Sequence, residues 1–223
     1  MRDATTNRDI RSEILDATDR LLARDGYKKM TIEQLAREVG IGKGSVYLHF
    51  TSKEQIALSH IDRIIDRLKV RLNKIANGEG TCEQRLREML IERVLFRFDS
   101  VQHYSQNIND MLARLRPKLL KRRERYFADE AEIFARVITE GTDRGEFRGR
   151  TPDTAAAAMV VATNSLLPYS LTAKELGGRD EIEARISAVA ELLLNGLKAP
   201  EKRASAPRSP DRGLEEAKGK GSR

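Results

Sequence analysis

The sequence has no tryptophan, a single cysteine, six prolines and only 5% aromatic residues in 223 positions. Cys82 alone cannot form an internal disulfide, so a disulfide-stapled fold is excluded and a reducing, cytoplasmic setting is expected. No stretch approaches the ~18 consecutive apolar residues of a membrane span, and the opening MRDATTNRDI lacks the apolar segment of a secretory signal. No membrane partner is expected. His49, His60 and His103 lie far apart and share no ligand spacing with Cys82, so neither a metal site nor a cofactor is expected. The chain also lacks a Gly-x-Ser-x-Gly elbow or any other Ser, His and Asp arrangement, which leaves an enzyme without a nucleophile. Gly40-x-Gly42-Lys43-Gly44-Ser45 looks superficially like a phosphate loop. A Walker motif, however, needs Gly at 37 and Ser or Thr at 44, where Arg37 and Gly44 stand.

What is present points to helices. Charged residues make up 34% and hydrophobic residues 39%, and the mixture is richer in helix formers than in strand formers. An all-α fold is expected, with enough apolar surface for one large domain or two small ones. Forty-one Lys and Arg against 34 Asp and Glu give a net charge of +7, which favours a polyanionic partner without naming it. The excess is uneven: residues 1–55 hold ten cations and nine acids, residues 56–125 hold 16 and 9, and the chain from Lys198 holds 8 and 4.

Ile10, Ile14, Leu15, Thr18, Leu21 and Leu22 recur near a 3.6-residue period and predict a first helix that stops at Asp25-Gly26, with Tyr27 opening a short connection. Thr31 followed by Gln34 is a capping-box pattern ahead of a short helix over about Ile32 to Val39. Gly40-Ile41-Gly42 interrupts the pattern, and Lys43 to Phe50 resumes it. Two short helices joined by a tight Gly-containing turn describe a helix-turn-helix. Ser52, with Gln55 after it, caps a long helix to Ala76 that Asn77-Gly78-Glu79-Gly80 ends.

Further apolar stripes follow at Leu86, Met89, Leu90, Val94 and Leu95, then at Ile108, Met111, Leu112 and Leu115, where Pro117 predicts a break or a start. Gly141, Gly145 and Gly149 predict a loop around Phe147. Thr151-Pro152 reads as cap and first residue of a helix to about Thr172, bent near Pro168, and Asp180 with Glu183 reads as the cap of a last helix to Leu197. Beyond Pro200 the chain is Pro, Ser, Gly, Ala and charge, too poor in large apolar groups to offset the entropy of ordering. The expected division is a head over 1–51, a helical domain over 52–199 and a disordered tail over 200–223.

The stretch from Thr31 to Lys53 carries the chemistry. Lys43 opens the second short helix with a flexible cation, Ser45 can hydrogen-bond a base edge or a phosphate, and Gly44 lets the backbone approach closely. Tyr47 and His49 supply donors for phosphate oxygens, Lys53 adds charge at the next helix start, and Thr31 can donate to phosphate as well as cap. Leu48 would make an apolar base contact such as one to a thymine methyl. Val46 and Phe50 fall on the opposite side, as scaffold. At this spacing Thr31-x-x-x-Leu35-Ala36, Gly40-Ile41, Gly44-x-Val46-Tyr47-x-His49-Phe50 and Lys53 resemble the DNA-binding head of the TetR family of bacterial transcriptional regulators. One departure is Gly42, where many members carry Ser or Thr; it weakens the helix cap by a few tenths of a kcal/mol, in round terms ~0.3.

The resemblance implies a dimeric repressor that reads a near-palindromic double-stranded operator and is released by a small-molecule effector. It implies an effector pocket in the C-terminal helical domain, for which Phe96, Tyr104, Asn107, Met111, Phe127, Phe134, Asn164 and Tyr169 are the candidates. It also implies a homodimer joined through the last two long helices, with Ala155, Ala158, Met159, Ala162, Ile186, Val189, Leu193 and Leu197 at the interface. The alternative is a helical adaptor of the same fold acting mainly through protein partners. The basic run Lys118, Lys121, Arg122, Arg123 and Arg125 reads as a solvated helix face, with an anionic ligand or DNA phosphate as the competing reading.

Overall fold

The computed structural model describes residues 9–101, 108–148, 151–167 and 177–198. These form α1 (Ile10–Arg24), α2 (Gly26–Lys29), α3 (Ile32–Val39), α4 (Lys43–His49), α5 (Lys53–Ala76), α6 (Cys82–Val101), α7 (Ile108–Asp143), α8 (Pro152–Ala162), a 3-10 turn (Thr163–Leu166) and α9 (Arg179–Leu197). Among the described residues there is no strand, only an isolated bridge between Phe147 and Lys198, and no helix is long and apolar enough to cross a membrane.

Local chemistry sets most head boundaries. The Asp9 carboxylate accepts from Ser12 N at 3.1 Å to start α1, and the chain turns out of it at Gly26 with φ 72°. Thr31 accepts from Gln34 N at 3.2 Å while the Gln34 side chain accepts from Thr31 N at 2.8 Å, so two backbone donors are satisfied reciprocally at the start of α3. Gly40, at φ 73°, ends α3 in the left-handed conformation. Ser52 caps α5 through Gln55 N at 3.1 Å, whereas Gly42 gives α4 no side-chain cap.

The helices enclose two apolar cores. Ile14, Leu21, Leu35, Val46, Phe50 and Ile56 fill the head core, and α7 closes it with Met111 and Leu115. Each side chain removed from water in this way stabilises the fold by roughly 1.5–3 kcal/mol. The second core joins Leu68 and Leu72 of α5 with Leu86, Leu90 and Val94 of α6, Phe134 and Val137 of α7, Ala156 and Met159 of α8, and Ile182, Ile186 and Leu194 of α9. Arg85 clamps the far end of α5, donating to Ala76 O at 2.6 Å while its guanidinium meets Glu140 of α7 at 2.7 Å. A cation on terminal carbonyls is favourable there.

Five expectations need correction. Tyr27 sits in the one-turn helix α2, not in an open connection. Pro117 neither breaks nor starts a helix: it lies inside α7, where head-core burial of Met111 and Leu115 before it and packing of Leu119 after it offset the missing hydrogen bond. Gly141 belongs to the same helix, and it is glycine for packing rather than for a turn: a Cβ there would lie 2.2 Å from the Phe147 ring that folds back over it. Finally, α8 ends at Ala162 in the 3-10 turn, and α9 starts after Gly178, whose N–H donates to Glu181 at 3.3 Å, so Asp180 is inside the helix. The bend expected near Pro168 and the tail over 200–223 lie outside the described residues.

Candidate nucleic-acid interface

α4 is held from one side only. Val46 is fully buried in the head core, and Phe50, just past the helix, is buried beneath the Arg11 guanidinium, 4.9 Å from its ring centroid. α3, which positions α4, is braced against α1 by Arg24 to Glu38 at 3.0 Å and Arg20 to Glu38 at 3.5 Å. With its inner side fixed, α4 turns the remaining residues outward: Leu48 is 85% exposed and Tyr47 47% exposed. Gly44 has nothing within 4 Å of where a Cβ would stand, His49 is exposed and Ser45 is half-buried. A helix about 10–12 Å across, apolar inside and studded outside, matches the ~12 Å major groove.

The cations at the edge of this row are already partnered. Lys43 pairs with Glu33 of α3, an exposed contact that raises the lysine above its ordinary value and lowers the carboxyl below its own, through the hydrogen bond first and the charges after it. DNA phosphate would compete with that carboxylate. Lys53 Nζ donates to Lys28 O at 3.2 Å and lies 4.6 Å over the Tyr27 ring. Burial, then the nearby Arg114 charge, lower its pKa from 10.5. The Thr31 hydroxyl donates to Gln34 Oε1 at 3.2 Å, so donating to phosphate would replace that contact while its oxygen goes on accepting from Gln34 N.

The expected pocket residues divide. Phe96, Phe127 and Phe134 pack on one core, with Phe134 fully buried, Phe96 4.8 Å from the Arg71 guanidinium and Phe127 5.4 Å from that of Arg93. Asn164 stands half-buried in the 3-10 turn. Met111 is not with them: its side chain belongs to the head core, because the first turns of α7 pack on the head. Tyr104, Asn107 and Tyr169 lie outside the described residues.

Sequence reasoning missed a buried ionic network beside these rings. Arg93 Nε meets Glu130 at 2.6 Å, Arg97 pairs with the other Glu130 oxygen, and Arg93 Nη1 donates to Thr163 at 2.7 Å. Arg93, Glu130 and Thr163 are fully buried. Burial pushes the Glu130 pKa up, and the two guanidiniums reverse that, leaving it below the ordinary carboxylate value. The signal was periodicity: Glu130 precedes Phe134 and Val137 on one stripe, and Arg93 and Arg97 sit four apart among Leu90, Val94 and Leu95.

The expected interface residues divide as well. Met159, Ile186 and Leu197 turn into the protomer's own core and offer no surface to a second copy. Ala158 and Ala162 are exposed, and Ala155, Val189 and Leu193 are half-buried. The large apolar side chains left in water on these helices are Val161, 65% exposed, and Leu192, 75% exposed, neither of which the sequence stripe selected. The basic run on α7 is mostly structural: Lys118 meets Glu54 at 2.5 Å, Arg122 pairs with Asp62, Arg125 approaches Asp62 at 3.6 Å and Arg123 lies 5.6 Å from the Phe127 ring.

Comparison with known proteins adds independent observations. The family model for bacterial regulatory proteins of the tetR family matches residues 14–59, and that for the tetracyclin repressor-like C-terminal domain matches residues 82–190. The nucleoid occlusion factor SlmA of Pectobacterium carotovorum is 38% identical over 88 residues, 39% of this chain and 44% of that protein. An uncharacterized HTH-type transcriptional regulator of Haemophilus influenzae is 34% identical over 74 residues, 33% and 38% of the two chains. The chain thus spans less than half the length of these curated relatives. A transcriptional regulator from Cytophaga hutchinsonii superposes with a TM-score of 0.71 at 23% identity, covering 84% of this chain and 98% of its own, which shows a shared fold.

Proposed function

The chain belongs to the TetR family of bacterial regulatory proteins, and from that premise we propose that it is a dimeric, sequence-specific DNA-binding repressor released from its operator by a small-molecule effector. The observation that carries the reading is the outer row of α4: Tyr47 and Leu48 stand in water on a helix whose other side is locked by Val46 and Phe50. A surface leucine at 85% exposure has no folding role, and a thymine methyl is a partner for it. Lys43, Ser45 and Gly44 would approach base edges, while Thr31, His49 and Lys53 would hold phosphates.

Pairing through the exposed faces of α8 and α9, with Ala158, Val161, Ala162, Val189, Leu192 and Leu193 at the seam, would set two copies of α4 about one helical turn, ~34 Å, apart. An effector in the body near Phe96, Phe127 and Phe134 would act by binding better to a conformation with the heads wrongly spaced. The operator then weakens by that differential, typically ~1–3 kcal/mol.

The test is selection of bound duplexes from random oligonucleotides, followed by affinity measurement for wild type and for Lys43→Ala with Tyr47→Ala. The double variant is expected to bind the selected duplex about 10- to 100-fold more weakly at unchanged stability, the range for losing one or two groove contacts. Equal affinities would remove α4 as the reader. The likeness to a nucleoid occlusion factor favours a second reading, a DNA-bound adaptor whose output passes through a protein partner. Selection that returns no sequence preference would favour it.

A further inference from the structure

The head lacks the charge expected of a protein that grips a polyanion. Residues 1–55 hold ten cations against nine acids, and Lys43 is paired with Glu33. The excess lies in residues 56–125, and the structure brings part of it to the head. α5 and α7 run parallel: Glu54 meets Lys118, Asp62 meets Arg122 and Tyr126, Lys69 meets Asp129 at 2.9 Å, and Asn73 meets Arg136, so the pairings advance together along both helices. Glu54 is the second residue of α5. Lys118 therefore marks the level at which α5 begins, and Arg114 projects about one turn, ~5 Å, beyond it.

Burial of Met111 and Leu115 in the head core fixes the rotation of α7 there. Arg114, Lys118, Lys121 and Arg125 consequently fall on one face, spaced four, three and four residues apart, and all four are exposed. α7 also packs against α2, which presents Lys28 and Lys29 to solvent. Lys28, Lys29, Lys53, Arg114 and Lys118 thus stand together at the edge of the head, where the Glu54 carboxylate is paired with Lys118. The Arg114 charge reaches both Lys53 and Tyr27: burial and then Arg114 lower the Lys53 pKa, while burial and then Glu54 raise that of Tyr27, with Arg114 a smaller opposing influence.

We infer that the first turns of α7 are a second DNA-contacting element, in which Arg114 holds a backbone phosphate flanking the half-site read by α4. The inference rests on the operator-binding reading above. α7 belongs to the body by its other end, so the body itself contributes to the grip on duplex DNA. The contact carries no sequence information, and it is reached only on a duplex that continues past the half-site.

The test uses the full chain and two versions of a selected operator, one with long flanks and one trimmed at the half-site edges. On the long duplex Arg114→Ala is expected to bind roughly tenfold more weakly at low salt. The plot of log affinity against log salt should become shallower by about 2, one phosphate per protomer at ~0.9 each. Arg114→Lys should keep the wild-type slope, and the trimmed duplex should bind wild type and Arg114→Ala alike. An unchanged slope on the long duplex, or an equal loss on the trimmed one, overturns the inference while leaving the α4 reading in place. A wild-type protein without affinity for any duplex overturns both.

Discussion

Glu130→Gln is the sharpest perturbation of the body. The carboxylate is fully buried between Arg93 Nε at 2.6 Å and the guanidinium of Arg97, while Arg93 also holds Thr163 at 2.7 Å. The amide keeps the shape and one acceptor but removes the charge, leaving two buried guanidiniums without the carboxylate that compensates them. Breaking a buried ion pair in this way costs about 3–5 kcal/mol, a large fraction of the ~5–15 kcal/mol that holds a typical domain together. At about 2–4 °C per kcal/mol for a chain of this size, the midpoint should fall by roughly 6–20 °C.

The pH dependence adds a second readout. The folded-state pKa of Glu130 lies below the ordinary 4.5, so its stabilisation is fully present above that value and is lost as pH falls through the lowered one. Thermal melts of wild type and Glu130→Gln should therefore differ most at neutral pH and converge in acid. The triple change Arg93→Met, Arg97→Met, Glu130→Leu removes every charge at once and should recover much of the loss. A Glu130→Gln protein within about 1 kcal/mol of wild type at neutral pH would refute the claim that the two buried guanidiniums depend on this carboxylate.

Two further outcomes follow from packing. Gly141→Ala places a Cβ 2.2 Å from the Phe147 ring and 2.9 Å from Cys82 Cβ. The ~1 kcal/mol helix-propensity gain is then reversed by an overpacking cost of ~1–3 kcal/mol or more; urea denaturation should show net destabilisation, relieved when Phe147→Leu is added, and a stabilised Gly141→Ala would contradict the close approach. Leu192→Glu with Val161→Glu adds charge to the two exposed apolar positions of α9 and α8, so sedimentation should show monomers, and circular dichroism should show that they keep the wild-type helical content. A dimer that persists would take this face out of the proposed interface.

The head was legible because its boundaries are set by neighbours in sequence. The capping box of Thr31 and Gln34, the left-handed Gly26 and Gly40, and Ser52 ahead of Gln55 each act within a few residues. Where the deciding contact is remote, the reading fails. Gly141 stays inside α7 and is glycine because Phe147 needs the space, Pro117 is held in the helix by head-core contacts of Leu115 before it and Leu119 after it, and Met111 faces the head because α7 crosses from one core to the other. The start of α9 had rival registers in Asp180, Glu181 and Glu183, and the chain uses Glu181 on the Gly178 N–H. Arg93, Arg97 and Glu130 were passed over because charge reads as surface until two helices, α6 and α7, bring opposite signs together.

α7 constrains how any signal reaches the head. Its first turns supply Met111 and Leu115 to the head core, and its second half supplies Phe134, Val137 and Ile138 to the body core. Between them it is laced to α5 through Glu54, Asp62 and Lys69. A head pivoting at the start of α5 alone would tear Leu115 out of an apolar site and separate Lys118 from Glu54, whereas α5 and α7 tilting as a pair would preserve both. Packed cores favour the second course, because they switch between discrete arrangements more readily than they deform. Glu130 sits on α7 between Tyr126, which donates to Asp62 of α5, and Phe134 in the body core. Under the proposed repressor reading, a ligand that displaced α7 at Glu130 would act on the α5 contact one turn away, and through it on the spacing of the two reading helices.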